Sequence, residues 1–489
     1  MLTPMARLRR LPRMPSGAGE AALCLVAAIG AAVAILSLTL AAVLVVLVGC
    51  LLFVLTLHRP GIGVAGVIAT VPVQASLAVV TGFGQITLTK TALAAVALGW
   101  GIRVLAERST VRVNDVVLVH GAFVLALAAS IVNARDLVAW AGEVYRWSAA
   151  LLLYLIALRT LLTAQDIAWV VRAVAAGTLA SAVHGGVQVT FGIGPPSFAT
   201  GLLTRAYATF GEPNPFAGYL ELSVPLLAAL VLGWVTTARP LAPHEAIDRP
   251  TVVFAAVAAC AGTVALVLTQ SRGGYLGFAA GMATVIWLTG GRVRRVGTVL
   301  GAVVVALLLL SPLGPRLSGS IGDLGLIRGD TQVTRENFAV RERSAHWGAA
   351  VRMVATYPAL GVGAGNFDAR YRELTPDWRF RIARGHAHSA YLQAAAQAGL
   401  LGLMAYLGLL GVVGRRIARA LRTGSPELGR PIAIGVAAVT MAVVIHGLFD
   451  YLHVLSLGLQ LAVVWSLPEA VAPRARLPGP APATGVAAP

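Results

Sequence analysis

Two imidazoles and a hydroxyl sit together in His386-Ala387-His388-Ser389-Ala390-Tyr391-Leu392, where a long polar stretch gives way to an apolar helix pattern. Leu392, Ala395, Ala396, Gly399, Leu400 and Leu403 recur at helical spacing, so His388 falls near a helix N-terminus. That is a wet, electropositive corner, suited to a base working on an anionic substrate. A neutral imidazole near pH 7 can take a proton from a hydroxyl, which makes His388 the candidate base. His386, two residues earlier, points elsewhere if the segment is extended. A metal reading of His-x-His needs further ligands, and no Asp/Glu cluster stands beside the pair, so no metal is expected.

Guanidiniums are the second ingredient. Arg272, in Thr269-Gln270-Ser271-Arg272-Gly273-Gly274, separates two apolar runs and costs free energy there unless it meets an anion or a carboxylate. Arg205 leads the segment ending Glu212-Pro213-Asn214-Pro215, in which Asn214 is either a helix N-cap or a site residue. Arg343 lies four residues before Trp347 in a short amphipathic pattern, Ser344 to Tyr357, with Trp347, Val351 and Val354 on one face. Arg341 reads as part of a solvated face. His446 and Asp450 share a helical face at i, i+4, and Asp450 either orients an imidazole or caps a helix. Glu143 and Arg146, at i, i+3, pair with each other, and Glu221 reads as a lone, hydrogen-bonded residue on a span.

These residues are set in a chain of 489 residues that is 57% hydrophobic and 12% charged, with a net charge of +18 carried almost wholly by arginine. Apolar runs of membrane-spanning length recur throughout, so the expected fold is all-α, a polytopic helical bundle of about 12–14 transmembrane helices. Fourteen runs fall near 20–37, 39–57, 61–80, 86–106, 115–132, 138–158, 166–190, 214–236, 251–269, 273–290, 296–312, 389–413, 431–448 and 452–468. Cys24, Cys50 and Cys260 lie inside such runs without metal or redox spacing and read as small core residues.

Arginines cluster before the first run, at Arg103/Arg108/Arg112, Arg292/Arg294/Arg295 and Arg415/Arg416/Arg419/Arg422, and at Arg474/Arg476. Fourteen spans put all of them on one side, which the positive-inside rule makes cytoplasmic. The other side then receives every candidate site segment. The expected organisation is N-terminal membrane helices over 1–312, a long extracytoplasmic loop with short helices over 313–388, C-terminal membrane helices over 389–468, and a disordered cytoplasmic tail over 469–489.

The order of these motifs resembles the O-antigen ligase and Wzy-type polymerase superfamily over roughly residues 200 to 455. The elements are Thr269-x-Ser271-Arg272-Gly273, Arg343-x-x-x-Trp347, Pro358-x-x-Gly361-Val362-Gly363-x-Gly365-Asn366-Phe367, and Ala387-His388-Ser389-x-x-Leu392 with Gly399. Arg205 through Asn214 and the closing His446/Asp450 are similar to its flanking elements. Ser389 departs from the pattern, where asparagine is commoner. The resemblance implies a GT-C-like glycosyltransferase of the bacterial inner membrane, working on the periplasmic face without cofactor, metal or nucleic acid. Its donor would be a glycan on undecaprenyl diphosphate, and its acceptor a hydroxyl of a glycan, lipid or protein. By position, His388 would activate that hydroxyl, while Arg272 and Arg343, with Arg205, would hold the diphosphate; His386, Ser271, Asn214, Asp450 and His446 would support them. The alternative is a membrane anion transporter of the bicarbonate type, which calls for ionisable residues near mid-membrane.

Overall fold

The computed structural model describes residues 40–74, 78–81, 84–108, 113–200, 203–237, 247–310, 333–334, 337–375 and 379–471. The expected first span with the arginines before it, residues 313–332, 335–336 and 376–378 of the expected loop, and the tail after 471 lie outside the described residues. Within them the chain is an all-α bundle: α1 Leu40–His58, α2 Pro60–Thr70, α3 Leu88–Glu107, α4 Asp115–Ala129, α5 Leu137–Thr160, α6 Ala164–Thr190, α7 Pro213–Thr236, α8 Arg249–Thr269, α9 Arg272–Thr289, α10 Gly291–Leu310, α11 Phe338–Thr356, α12 Phe367–Leu374, α13 Ala390–Thr423, α14 Gly429–His446 and α15 Leu457–Ala470. Eight of these segments are long and apolar enough to cross a membrane: α3 to α8, α13 and α14. The chain is a polytopic membrane protein.

Leu118, Leu125, Val257, Val264 and Val267 are exposed on the outer faces of α4 and α8, as suits helices whose solvent on that side is lipid. Cys50 and Cys260 are exposed in the same way, so they are not the small core residues the sequence implied. The centre of the bundle is α7 and α14, the most enclosed of the spanning helices. Both pack against α9, while α13 packs on α4 and α14.

Two boundaries differ most from the sequence reading. The run at 61–80 ends as an α-helix at Thr70, with a 3-10 turn through Val71–Val73, because Pro72 brings no amide hydrogen to continue the ladder. The chain then forms an antiparallel ladder of Ala78–Thr81 with Gly84–Thr87. At the other end, α13 runs to Thr423, past the expected stop at 413, since no breaker occurs before Gly424-Ser425-Pro426. Arg415, Arg416, Arg419 and Arg422 therefore lie on the helix, where Arg416 pairs with Asp115 and Glu469.

α13 is broken at Ala398 and Gly399, the latter with φ +67°. The loop after α11 threads this break. Val362 and Gly363 donate backbone hydrogen bonds to the Ala396 and Gln397 carbonyls at 2.8 and 3.2 Å, and the Leu400 amide donates to Pro358 O at 2.8 Å. Backbone groups freed by the break are thus satisfied by the loop. A Cβ on Gly399 would lie 2.2 Å from Ala359 O, so only glycine fits. Asn366 fixes the other side of the loop. Its Oδ1 accepts from the Arg135 and Asp136 amides at 2.8 and 2.6 Å, and its Nδ2 donates to Asp136 O at 2.9 Å. The loop is thereby fastened to the α4–α5 turn.

α11 is longer than the expected Ser344–Tyr357 and buries a different face. Ala345, His346, Ala349, Ala350 and Met353 are buried, whereas Val351 is 57% exposed. Small side chains let this helix lie close against α13 and α12, and that contact outweighs the larger apolar residues. Arg341 is buried on this helix, contrary to the solvated face expected for it.

Candidate active site

The segment before α13 is held by its own backbone. Ser389 caps the helix, its hydroxyl accepting from Leu392 N at 3.5 Å. The Ala387 amide donates to Gln393 Oε1 at 2.7 Å, and the Ala390 amide to Gly447 O at 2.7 Å. Between them His388 takes a left-handed conformation, φ +49°, uncommon for a non-glycine residue and found where surroundings over-determine it. Trp347 Nε1 donates to His388 O at 3.1 Å, tying the segment to α11.

That left-handed turn swings both imidazoles to one side. His388 Nδ1 lies 3.2 Å from Asp450 Oδ1, and His386 Nδ1 lies 3.8 Å from the same oxygen. His386 does not point elsewhere, as an extended segment would require. Its Nδ1 accepts from the His388 amide at 3.2 Å, so the neutral ring carries its proton on Nε2. Burial holds the His386 imidazole down at about 4, against the pull of Asp450 and with help from neighbouring cations. The hydrogen bond at His388 runs from Nδ1–H to the Asp450 carboxylate, so in the neutral tautomer Nε2 carries the lone pair.

Asp450 sits in the turn after α14, its amide donating to His446 O at 2.9 Å. Oδ1 also accepts from Tyr451 N at 2.9 Å, and Oδ2 accepts from Asn214 Nδ2 at 3.0 Å. Burial opposes its ionisation, but the His388 hydrogen bond and the imidazoles of His386, His388 and His446 hold the carboxyl well below the usual carboxylate range. Asp450 orients an imidazole; it does not cap a helix.

Asn214 is likewise no N-cap: α7 starts at Pro213 after Glu212. Its Oδ1 instead accepts from Ser271 Oγ at 3.0 Å and Arg205 NH2 at 3.3 Å, while its Nδ2 reaches Asp450. One amide thus links three segments. Arg205 Nε donates to Thr269 O at 2.8 Å. Burial depresses the Arg205 pKa, Tyr275 opposes that, and the charges of Arg343 and Arg272 depress it further. Arg343 NH2 is 4.0 Å from Asp450 Oδ2. Arg272 opens α9, exposed, directly after the helix-capping Ser271.

His446 does not join this cleft. Its Nδ1 lies 2.8 Å from Glu221 Oε1, deep between α7 and α14. A Cβ on Gly273 would meet His446 Nε2 at 2.6 Å, and one on Gly277 would meet Glu221 Oε2 at 2.2 Å, so these glycines let α9 close over the pair. Glu221 thus has the packed, hydrogen-bonded role expected for it, with His446 as its partner. Glu143 does pair with Arg146, and it also accepts from Tyr451 OH at 2.7 Å, which anchors the residue after Asp450.

The sequence reading missed His346. It is fully buried on α11, its ring edge-on to His388 at 5.1 Å and stacked on Tyr371 at 4.5 Å. Its Nδ1 donates to Glu342 O at 2.7 Å. Its place three residues after Arg343 was the available signal.

Five separate segments, 205–214, 271–272, 343–347, 386–389 and 450–451, thus contribute to one end of the bundle. Residues 254–407 match the family model described as O-antigen ligase. That match covers less than half of the chain and supports the O-antigen ligase and polymerase superfamily. No curated protein matches the chain. The O-antigen ligase region runs from within α8 to mid-α13 and contains Ser271, Arg272, Arg343, His386 and His388. Arg205, Asn214 and Asp450 reach the cleft from outside it. The match supports a ligase-type membrane enzyme of polysaccharide biosynthesis.

Proposed function

We propose that the chain transfers a glycan from undecaprenyl diphosphate to an acceptor hydroxyl on the extracytoplasmic face, with inversion. The observation carrying this reading is the link from base to guanidiniums: His388 to Asp450, Asp450 to Asn214 and Arg343, Asn214 to Arg205 and Ser271. His388 Nε2 takes the acceptor proton as the hydroxyl oxygen attacks the anomeric carbon, and undecaprenyl diphosphate leaves. Asp450 keeps Nε2 as the basic nitrogen and stabilises the imidazolium that forms. Arg272, Arg343 and Arg205 hold the diphosphate, where fixed cations offset charge developing on the leaving group. His386, Ser271 and Asn214 position these groups, and His446 fastens the helices beneath them. The 313–388 loop shapes the acceptor groove.

The bundle's two ends support the outward orientation. Asp115, at the start of α4, meets Arg415 and Arg416 near the end of α13, whereas Asn133, after α4, donates to Gly361 O of the loop. Arg415 and Arg416 thus lie at the end opposite the cleft, as suits a cytoplasmic face. Candidate residues gathered at one end favour surface catalysis over an anion path, which places ionisable groups at mid-membrane. The test is glycan transfer by purified protein, read as release of undecaprenyl diphosphate. Product from wild type and none from a correctly inserted His388→Ala variant is expected; wild-type product levels from that variant would remove the assignment.

A further inference from the structure

The three donors around Asp450 have a second chemistry. One ligand atom from each of His386, His388 and Asp450 lies within 4.8 Å of the other two, and the two Nδ1 atoms are 3.8 and 3.2 Å from Asp450 Oδ1. A tetrahedral zinc ion, with bonds near 2.0–2.1 Å, separates neighbouring ligand atoms by about 3.3 Å. The two nitrogen–oxygen distances match that separation to within about half an ångström. We propose that this triad binds an imidazole-seeking divalent cation, of which Zn2+ is the type, and that occupancy switches the dyad off.

His386 offers the Nδ1 lone pair directly, giving up only the weak bond from the His388 amide. At His388 the cation takes Nδ1, and the proton held there moves to Nε2 by tautomerisation, with no net release. Nε2 then becomes a donor and no longer accepts a proton from an acceptor hydroxyl. Asp450 keeps its outer hydrogen bonds from Asn214 and Tyr451 N, which orient a carboxylate ligand. The side chains of His386 and His388 are 17% and 15% exposed, so a cation can reach them. Arg343, 4.0 Å from Oδ2, repels a dication and sets the affinity lower than a site without it.

Binding rests on geometry alone; inhibition rests on the general-base reading of His388. The test uses tag-free full-length protein in detergent, titrated with Co2+ and read by visible d–d absorption, then displaced with Zn2+. One saturable site is expected. His386→Ala and His386→Gln should each weaken it by about tenfold or more, as should Asp450→Asn, and Arg343→Met should tighten it by roughly tenfold. Zn2+ should inhibit transfer reversibly, with recovery on chelation. No saturable Co2+ signal, or one indifferent to both His386 variants, overturns the proposal. A site that binds Co2+ as described while Zn2+ leaves transfer untouched keeps the binding claim and overturns the switch, together with the general-base role of His388.

Discussion

Asp450→Asn isolates the part of the site that acts through charge. The substitution keeps the shape of the side chain and an oxygen for the His388 Nδ1–H bond at 3.2 Å. What it removes is the anion opposite the imidazolium that forms when His388 takes the acceptor proton. For charge centres about 4 Å apart at an effective dielectric near 20, that attraction is worth about 4 kcal/mol, or about three decades of rate. Arg343, 4.0 Å from the other oxygen, already cancels part of the field, so the expected loss is about 10²–10³-fold. The loss should fall on the single-turnover rate at saturating donor, with donor affinity changed by less than about threefold. The assay is rapid-quench transfer on purified protein, with donor binding measured separately. A variant keeping its rate within about threefold of wild type would refute the argument that Asp450 supports the base electrostatically.

Three further outcomes follow from the same geometry. Arg272→Lys keeps the charge and loses the planar fork, so donor affinity should fall about tenfold or more; unchanged affinity would mean that Arg272 only anchors α9. Gly399→Ala forces a side chain into φ +67° and against Ala359 O, at a cost of about 1–3 kcal/mol or more, so the thermal midpoint in detergent should drop by several degrees; an unchanged midpoint would deny the loop its anchoring role. His386 is held at about 4 in the folded chain against about 6.5 when unfolded. The unfolded chain then binds the extra proton between those values, so this contribution is complete above about pH 6.5 and is lost as pH falls toward 4. A pH series of melting midpoints should show that decline in wild type and a shallower one in His386→Leu; parallel curves would contradict it.

The helices were legible because the bilayer sets their length: α4 to α9 begin and end within a few residues of the apolar runs. Helix ends governed by breakers were less so, as the early stop of α2 and the long α13 show. Arg205, Arg272 and Arg343 stood out because a guanidinium beside apolar spans needs a reason. Their mutual closeness, and the link through Asn214, came only with the fold, since residues 214 and 450 are remote in sequence. The orientation of His386 depended on one left-handed residue, His388, which no periodicity reports. The metal reading looked for a carboxylate in the same loop, whereas Asp450 arrives from the turn after α14. His346 and Glu221 looked like packing residues because a buried polar group shows its partner only in three dimensions.

One paired measurement reads the division of labour between imidazole and guanidiniums directly: single-turnover glycan transfer and donor affinity in His388→Ala. The prediction is a fall in rate of at least about 10²-fold with donor binding preserved. Transfer within a few-fold of wild type, or a loss confined to donor affinity, would contradict it.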